Sequence, residues 1–223
     1  YKAGLRRVNI SLDSMNPDRY RKITRGGDLK SVLRGIAAAE KAGFSPIKIN
    51  VVAIKGFNDD EVLDFARLAA NKPFQIRFIE LMPISEVNTA TQGCFLPMSV
   101  LRNKIMEHYQ LEPLGKKKFI SDGPAEIYRL SGGLGEIGFI HPVSSHFCAT
   151  CNRLRLTADG KLRACLLRDE EIDLKKPLSA SCDDDVLQDL ISQAILLKPA
   201  HHDLDCTDRH LKKCHRDMSD IGG

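Results

Sequence analysis

The stretch Ile47-Lys-Ile-Asn-Val-Val-Ala-Ile54 is an apolar run of the length of one strand. The turn-forming residues Lys55-Gly-Phe-Asn-Asp-Asp60 follow it directly, and the apolar periodicity of residues 60–70 then predicts a helix. Either Asn58 or Asp59 can cap that helix, because a short polar side chain can accept hydrogen bonds from the first free backbone N–H groups. The stretch therefore predicts a strand, a turn and a helix in succession.

The same succession occurs on both sides of this stretch. Upstream, a strand is predicted over 8–12 and a helix over 29–42, with Gly43 as the residue that ends the helix. Downstream, a further strand is predicted over 75–81. Strands that alternate with helices indicate an α/β fold with βαβ units and a parallel sheet, which is either a barrel or an open wound sheet.

The alternation stops near Pro83, and shorter elements follow. Asp159-Gly160 lies between two alternating segments and predicts a hairpin, which would return Cys165 towards Cys148 and Cys151. We therefore expect two domains, 1–83 and 84–223, the second an α+β subdomain. Its other predicted elements are a helix over 97–109, strands over 125–130 and 135–140, a helix over 184–197, and an irregular tail from 198.

Composition limits the classes of protein to consider. The 223 residues carry a net charge of +4, too small to argue for nucleic acid, and hold no apolar run near the ~20 residues that span a membrane. Seven cysteines cannot all pair, so we expect a cytoplasmic protein whose clustered cysteines bind metal. Because the chain does not begin with Met, we expect a fragment of a longer product or a truncated homologue.

Polar residues interrupt the apolar strands, and Lys48 and Asn50 lie two positions apart and so share one face. One interpretation is that these faces meet solvent at a sheet edge. The other is a polar barrel interior that holds an anionic ligand, since an unpaired charge in a core is costly. The remaining polar positions in these strands are Asn9, Ser11, Arg77 and Glu80.

The chemistry of the chain centres on a cysteine trio, Cys148, Cys151 and Cys165, with the spacing C-x2-C-x13-C. Thiolates select zinc, copper(I) or iron–sulfur clusters. A zinc site would need a fourth ligand, and His146 or His141 could supply it. A cluster would keep its fourth iron open for chemistry. The spacing leaves zinc, a cluster and unliganded thiols as alternatives.

Two arginines, Arg153 and Arg155, follow Cys151 at strand spacing, which predicts that both point to one face beside the cysteine trio. They are either the paired charges of a surface strand or, together with Lys48 and Arg77, a phosphate clamp. Planar guanidinium groups suit a clamp because they bind phosphate oxygens in pairs.

Taken in order and spacing, these motifs resemble the C-terminal two-thirds of the radical-SAM GTP 3′,8-cyclases of molybdenum cofactor biosynthesis. The resemblance extends over residues 1–223. The motifs that carry it are Ala3-Gly-Leu-Arg-Arg-Val-Asn-Ile-Ser-Leu-Asp13, Lys48-Ile-Asn-Val-Val52, Lys55-Gly-Phe-Asn-Asp-Asp60, Ile76-Arg-Phe-Ile-Glu80, Met82, Phe147-Cys-Ala-Thr-Cys-Asn-Arg-Leu-Arg155, Asp159-Gly160, Cys165-Leu166 and Ile221-Gly-Gly223.

The resemblance implies an incomplete (βα)6 TIM-like barrel with a C-terminal subdomain, in a lyase. It implies that the cysteine trio ligates a second [4Fe–4S] cluster whose open iron faces the purine of GTP. The expected partners are GTP, S-adenosylmethionine and an electron donor, with a homodimer as one assembly to test. The implied roles are GTP binding for Lys48, Arg77, Arg153 and Arg155, S-adenosylmethionine binding for Ser11, Asn50 and Met82, and an active-site tail for Gly222 and Gly223.

The chain departs from the family in one respect, because these 223 residues hold no C-x3-C-x2-C motif for a first cluster. In the family that cluster supplies the electron that cleaves S-adenosylmethionine to a radical, which abstracts hydrogen from the ribose of GTP. We therefore expect this chain alone to be inactive, and we assign no catalytic residue. The other cysteines lack the missing spacing and are interpreted as buried or stray thiols, namely Cys94, Cys182, Cys206 and Cys214.

Two other functions remain as alternatives. One is a zinc-stabilised binding module with a Cys3His site and no radical chemistry. The other is a radical-SAM enzyme that modifies a peptide. Arg153 and Arg155 argue against the peptide alternative, because a triphosphate needs such a pair and a peptide does not.

Overall fold

The computed structural model describes residues 1–82, 93–115, 123–180, 183–201, 216 and 220–221. The chain divides into two compact units. The first comprises Tyr1–Leu81 and Gly93–Ser144, and the second comprises Met82–Gln92 and Ser145–Gly223. The predicted boundary at residue 83 divides the chain differently, because it assigns residues 93–144 to the second domain. It stays a prediction.

A six-stranded sheet in the order β1-β2-β3-β6-β5-β4 forms the centre of the first unit. The pairs β1–β2, β2–β3 and β3–β6 are parallel, and the pairs β6–β5 and β5–β4 are antiparallel. The predicted α/β class with a parallel sheet is confirmed. The strands are β1 Val8–Ser11, β2 Ile47–Ala53, β3 Phe74–Glu80, β4 Leu111–Pro113, β5 Glu126–Leu130 and β6 Glu136–Ile140.

Helices connect the parallel strands. Helix α2, Leu29–Lys41, begins after Asp28, whose carboxylate accepts from the N–H groups of Lys30 and Ser31. Gly43 follows the helix with φ of +88°, as the sequence predicted for a residue that ends a helix. The other helices of this unit are α1 Pro17–Ile23, α3 Val62–Asn71 and α4 Met98–Met106.

The cap predicted for α3 is wrong. The helix begins at Val62, and its N-cap residue is Glu61, without a side-chain hydrogen bond. Asn58 instead accepts from the Ile54 N–H at 2.8 Å and donates to the carbonyls of Asp13 and Val52. These partly buried backbone groups, at the end of β2 and in the loop after β1, need partners, and satisfying them takes precedence over capping a helix that starts later.

Burial alternates along β2 and β3 with a period of two. Ile49 and Ile76 are fully buried on the core face, where they belong to the same cluster as Phe65 and Phe78. The rings of Phe65 and Phe78 meet edge to face at 6.1 Å. The opposite face carries Lys48 and Asn50 of β2 and Gln75 and Arg77 of β3, whereas Glu80 lies on the core face.

The carboxylate of Glu80, at the end of β3, is fully buried and fixes the loop after β6. It accepts hydrogen bonds from the N–H groups of Val143 at 3.0 Å and Ser144 at 2.9 Å, and from the Ser144 hydroxyl. The Met98 N–H at the start of α4 donates to it at 3.2 Å. One buried acceptor therefore joins a strand, a helix and a loop.

The second unit contains a three-stranded antiparallel sheet in the order β7-β8-β9. Gly160, with φ of +84°, forms the turn between β7 and β8, so the predicted hairpin is confirmed. Among the described residues no helix is long and apolar enough to cross a membrane. The elements of this unit are β7 Arg155–Leu156, β8 Lys161–Arg163, β9 Glu171–Asp173, α5 Lys175–Ser179 and α6 Asp184–Leu196.

Candidate functional site

The polar face of the first unit is organised around Arg77 in β3. Its Nε donates to the Asn50 amide oxygen at 2.8 Å, and one Nη donates to the Asn9 amide oxygen at 2.9 Å. The guanidinium group therefore crosses from β3 over β2 to β1. Burial lowers the pKa of Arg77, but an arginine of this kind remains a cation at neutral pH.

Strand register explains why these side chains meet. Asn50 is opposite Ser11 in β1 and opposite Arg77 in β3, and Lys48 is opposite Asn9. In-register residues of parallel strands point to the same side of the sheet. Lys48, Asn50 and Arg77 are half-buried on strands with a neighbour on each side, so the sheet-edge interpretation does not apply to them.

Gly138 in β6 provides space for the Arg77 side chain. A Cβ atom at this position would lie 3.1 Å from Arg77 Cγ and 2.9 Å from Ile127 Cδ1. A larger residue would crowd the Arg77 side chain at its Cγ atom. Gly138 therefore leaves room for the aliphatic part of Arg77, which the sequence alone did not reveal.

The cysteine trio lies in the second unit and consists of three half-buried thiols that are not in disulfides. Cys148 begins a single 3-10 turn, Cys148–Thr150, and the Cys151 N–H closes that turn by donating to the Cys148 carbonyl at 3.1 Å. Cys165 follows β8. The pKa of Arg155 is lowered, mainly by burial and also by the charge of Arg153, while Cys151 and Cys165 act in the opposite direction.

The surroundings of Cys151 lower the pKa of its thiol. Burial raises its pKa, but the backbone N–H and guanidinium of Arg153 and the charges of Lys198 and Arg153 more than offset that effect, so the pKa is lowered. Thiolates are the form that binds metals. The donor set therefore has the chemistry that an iron–sulfur cluster needs.

The prediction that Arg153 and Arg155 share the face of one strand is wrong. Strand β7 begins only at Arg155, so the period of two does not extend back to Arg153. The Arg153 guanidinium instead lies 5.1 Å from the centre of the Phe147 ring. Arg153 contacts the segment of Cys148 and Cys151 through the Phe147 ring, whereas Arg155 is positioned by strand β7.

Within the described ranges, no three His, Cys, Asp or Glu side chains converge as ligands of one metal ion would. A tetrahedral zinc ion requires sulfurs within about 4 Å of one another, given Zn–S distances of about 2.3 Å. A cluster binds each sulfur to a different iron, so its ligands stand farther apart. The three thiols have the chemistry of ligands for zinc or for an iron–sulfur cluster.

The histidines considered for zinc have other neighbours. The ring nitrogens of His141 lie 4.0 Å from a Glu80 oxygen and 3.5 Å from a Glu126 oxygen, all within the first unit. His146 stacks against His201 with ring centres 6.4 Å apart.

Other predicted site residues have simpler surroundings. Met82 packs with Leu166, Leu167 and the fully buried Ile221 in the second unit. Ser11 is exposed at the end of β1. Gly222, Gly223, Cys182, Cys206 and Cys214 lie outside the described residues.

The sequence identified Asn9 as a polar strand position without giving it a site role, and it gave no indication of Lys198; both contact predicted site residues. Asn9 orients Arg77, and Lys198 donates to the carbonyls of Arg153 and Ala164. The polar character of Asn9 within an apolar strand was a usable signal. Lys198 carried none, because it follows a helix 33 residues beyond Cys165 and binds backbone atoms.

Comparison with known proteins agrees with this arrangement. The family model Molybdenum Cofactor Synthesis C matches residues 74–204, and the Radical SAM superfamily model matches residues 1–69. The GTP 3′,8-cyclase of Moorella thermoacetica is 51% identical over 222 residues, covering 100% of this chain and 67% of the relative. The GTP 3′,8-cyclase of Alkaliphilus oremlandii is 47% identical, with 100% and 66% covered, and that of Listeria monocytogenes is 46% identical, with 100% and 67% covered.

A partly parallel α/β sheet and a cysteine-rich second unit are consistent with a radical-SAM protein. The chain belongs to the GTP 3′,8-cyclase family of molybdenum cofactor biosynthesis. It spans about two thirds of the length of the relatives named above. Family membership does not favour the zinc-module alternative.

Proposed function

We propose that this chain supplies the GTP-binding part and the second-cluster part of a GTP 3′,8-cyclase, which converts GTP to the 3′,8-cyclised product. The observation that carries the proposal is the pairing of Arg155 in β7 with Arg163 in β8. It brings Arg153 and Arg155, which follow Cys151, close to Cys165, which lies two residues after Arg163. Two guanidinium groups beside two metal-binding sulfurs suit a ligand that is a purine at one end and a triphosphate at the other.

The cysteine trio would hold a [4Fe–4S] cluster, which would offer the purine a coordination position at the iron without a cysteine ligand. Arg153 and Arg155 would bind the phosphates through charge-assisted hydrogen bonds. The positive charge near Cys151 would also keep that ligand deprotonated, as metal binding requires. Anaerobic analysis should find about four iron and four sulfide per chain, whereas stoichiometric zinc without iron would favour the zinc module.

The first unit would form part of an incomplete (βα)6 barrel whose polar face, Lys48, Asn50 and Arg77, turns towards the ligands. Arg77 would contribute to GTP binding, since the amides that hold it do not neutralise its charge. Asn50 would line the S-adenosylmethionine site together with Ser11 and Met82. An external electron donor and a homodimer remain predictions.

GTP binding provides the direct test. Arg153→Ala should raise the dissociation constant for GTP, measured by calorimetry on the cluster-loaded chain, by more than about tenfold, which corresponds to about 1.4 kcal/mol. Arg67→Ala is the matched control, because Arg67 is 65% exposed and pairs only with Asp64 among the ion pairs of the described residues. Equal affinity in the wild type and Arg153→Ala would remove the role of Arg153.

Cleavage of S-adenosylmethionine needs a first cluster. These 223 residues contain no C-x3-C-x2-C motif that would hold that cluster. We therefore expect no 5′-deoxyadenosine above background when the chain is reconstituted anaerobically with GTP, S-adenosylmethionine and a reductant. Formation of 5′-deoxyadenosine under these conditions would contradict that expectation. It would leave the GTP-binding proposal intact, because calorimetry measures binding independently.

A further inference from the structure

Lys198 connects the two chain segments that carry the cysteine trio. Its Nζ donates to the Arg153 carbonyl at 2.7 Å and to the Ala164 carbonyl at 3.0 Å. Arg153 lies two residues after Cys151, and Ala164 immediately precedes Cys165. One ammonium group therefore joins two segments whose thiols must lie together, although they are far apart in sequence.

The position of Lys198 is set by a packed helix. Helix α6 buries Ala194 against Leu162 of β8 and Leu174, in a small core of the second unit. The Lys198 N–H donates to the Ile195 carbonyl at 3.1 Å, which continues the last turn of the helix. Pro199 follows and cannot extend the helix. The Lys198 side chain thus extends from the end of a helix that is packed against the small sheet.

The ammonium group of Lys198 can hold two backbone segments together and also bring a positive charge to them. An ammonium group has three donors and no acceptor, so two backbone carbonyls can share it. Hydrogen bonds from a charged donor are stronger than neutral ones. The two carbonyls belong to the residue two positions after Cys151 and to the residue before Cys165. The positive charge of Lys198 therefore lies beside the segments that carry both thiols.

We propose that Lys198 is a positioning residue of the cysteine site: it holds the Cys151 and Cys165 segments together, and its charge raises the reduction potential of the cluster bound there. The charge effect rests on the proposed function. The connection between the segments does not, because it exists in the protein without a cluster. A nearby cation stabilises the more negative, reduced cluster, which gives the sign of the effect.

Three variants separate these roles. Lys198→Met removes the charge and the donors but keeps most of the side-chain length, and Lys198→Arg restores a cation with several donors. Lys176→Met is the matched control, because Lys176 belongs to the same unit and its side chain is 87% exposed. Circular dichroism should show that each variant is folded before further measurement.

The first measurement is amide hydrogen exchange of the cluster-free chain by mass spectrometry. Lys198→Met should raise exchange in the peptides covering 151–155 and 163–167 by about threefold or more, and Lys176→Met should leave both unchanged. Lys198→Arg should restore most of the protection. If exchange in both peptides is unchanged in Lys198→Met, Lys198 does not hold the two segments together.

The second measurement is a redox titration of the reconstituted cluster followed by electron paramagnetic resonance. Lys198→Met should lower the potential by at least about 28 mV, a threefold change for a one-electron couple at about 59 mV per decade. An unchanged potential would overturn the charge effect. If the wild type binds no iron, the proposed function fails and the exchange experiment alone decides the role of Lys198.

Discussion

Replacing Glu80 by alanine should destabilise the first unit strongly, because its buried carboxylate is the acceptor for three backbone N–H groups. These belong to Met98, Val143 and Ser144, at donor–acceptor distances of 2.9 to 3.2 Å. The side chain is fully buried, so water cannot readily replace it as an acceptor. Glu80→Ala would therefore leave donors from a helix and from a loop unsatisfied.

The magnitude follows from the cost of a buried donor without a partner. Each such group costs about 1–3 kcal/mol, and neighbouring losses are not additive, so we expect about 3–5 kcal/mol in the free energy of unfolding. For a chain of this size each kcal/mol corresponds to roughly 2–4 °C, which gives a decrease of about 10 °C in Tm. Glu80→Gln should cost about half as much, because the amide keeps one acceptor oxygen.

Urea unfolding followed by circular dichroism measures this change, and thermal unfolding checks it. Glu112→Ala is the control, because Glu112 is exposed on β4 of the same sheet. Substitutions at such surface positions usually change stability by less than about 0.5 kcal/mol. If Glu80→Ala lost no more stability than Glu112→Ala, the reasoning that the carboxylate holds the loop would be refuted.

Two further predictions concern backbone packing and thiol chemistry. Gly135→Ala should cost roughly 3 kcal/mol in urea unfolding, since its Cβ would lie 2.3–2.8 Å from three backbone carbonyl oxygens, whereas Gly115→Ala, with open space around it, should cost little. Cys151 in the cluster-free chain should react with iodoacetamide at lower pH than an ordinary thiol, because its pKa is lowered in the folded state. The lowered pKa of Cys151 stabilises the folded state above the unfolded-state pKa, and this gain is lost as pH falls through the folded-state pKa. Arg153→Gln should shift the pH midpoint of alkylation upward. An unchanged midpoint would contradict the role of Arg153.

The strands and long helices could be predicted because their apolar residues repeat with a clear period. Helix α1, Pro17–Ile23, was missed because it has seven residues, and its start at Asn16-Pro17 is also typical of a turn. Asn58 was misassigned as a cap for a related reason. Its type suits a cap, but its partners are backbone groups of Ile54, Val52 and Asp13, and sequence patterns do not encode such contacts.

The candidate site shows the same limit. Soft ligands at C-x2-C-x13-C spacing and arginines beside them can be identified from residue types alone. The connection made by Lys198 cannot, because its acceptors are carbonyls, which every residue has. The orientation of Arg153 over Phe147 also could not be predicted, since it depends on where β7 begins, and strand ends are set by local hydrogen bonding.

Arg163 and Arg77 differ in how their charge is compensated. Arg163 is fully buried, and its charge is compensated by Glu171 at 2.7 Å, between strands β8 and β9. Arg77 is oriented by the neutral amides of Asn9 and Asn50, which fix its direction without cancelling its charge. This arrangement supports the proposal that Arg77 binds an anion, because the ligand would supply the compensating charge that the protein's own hydrogen bonds leave open.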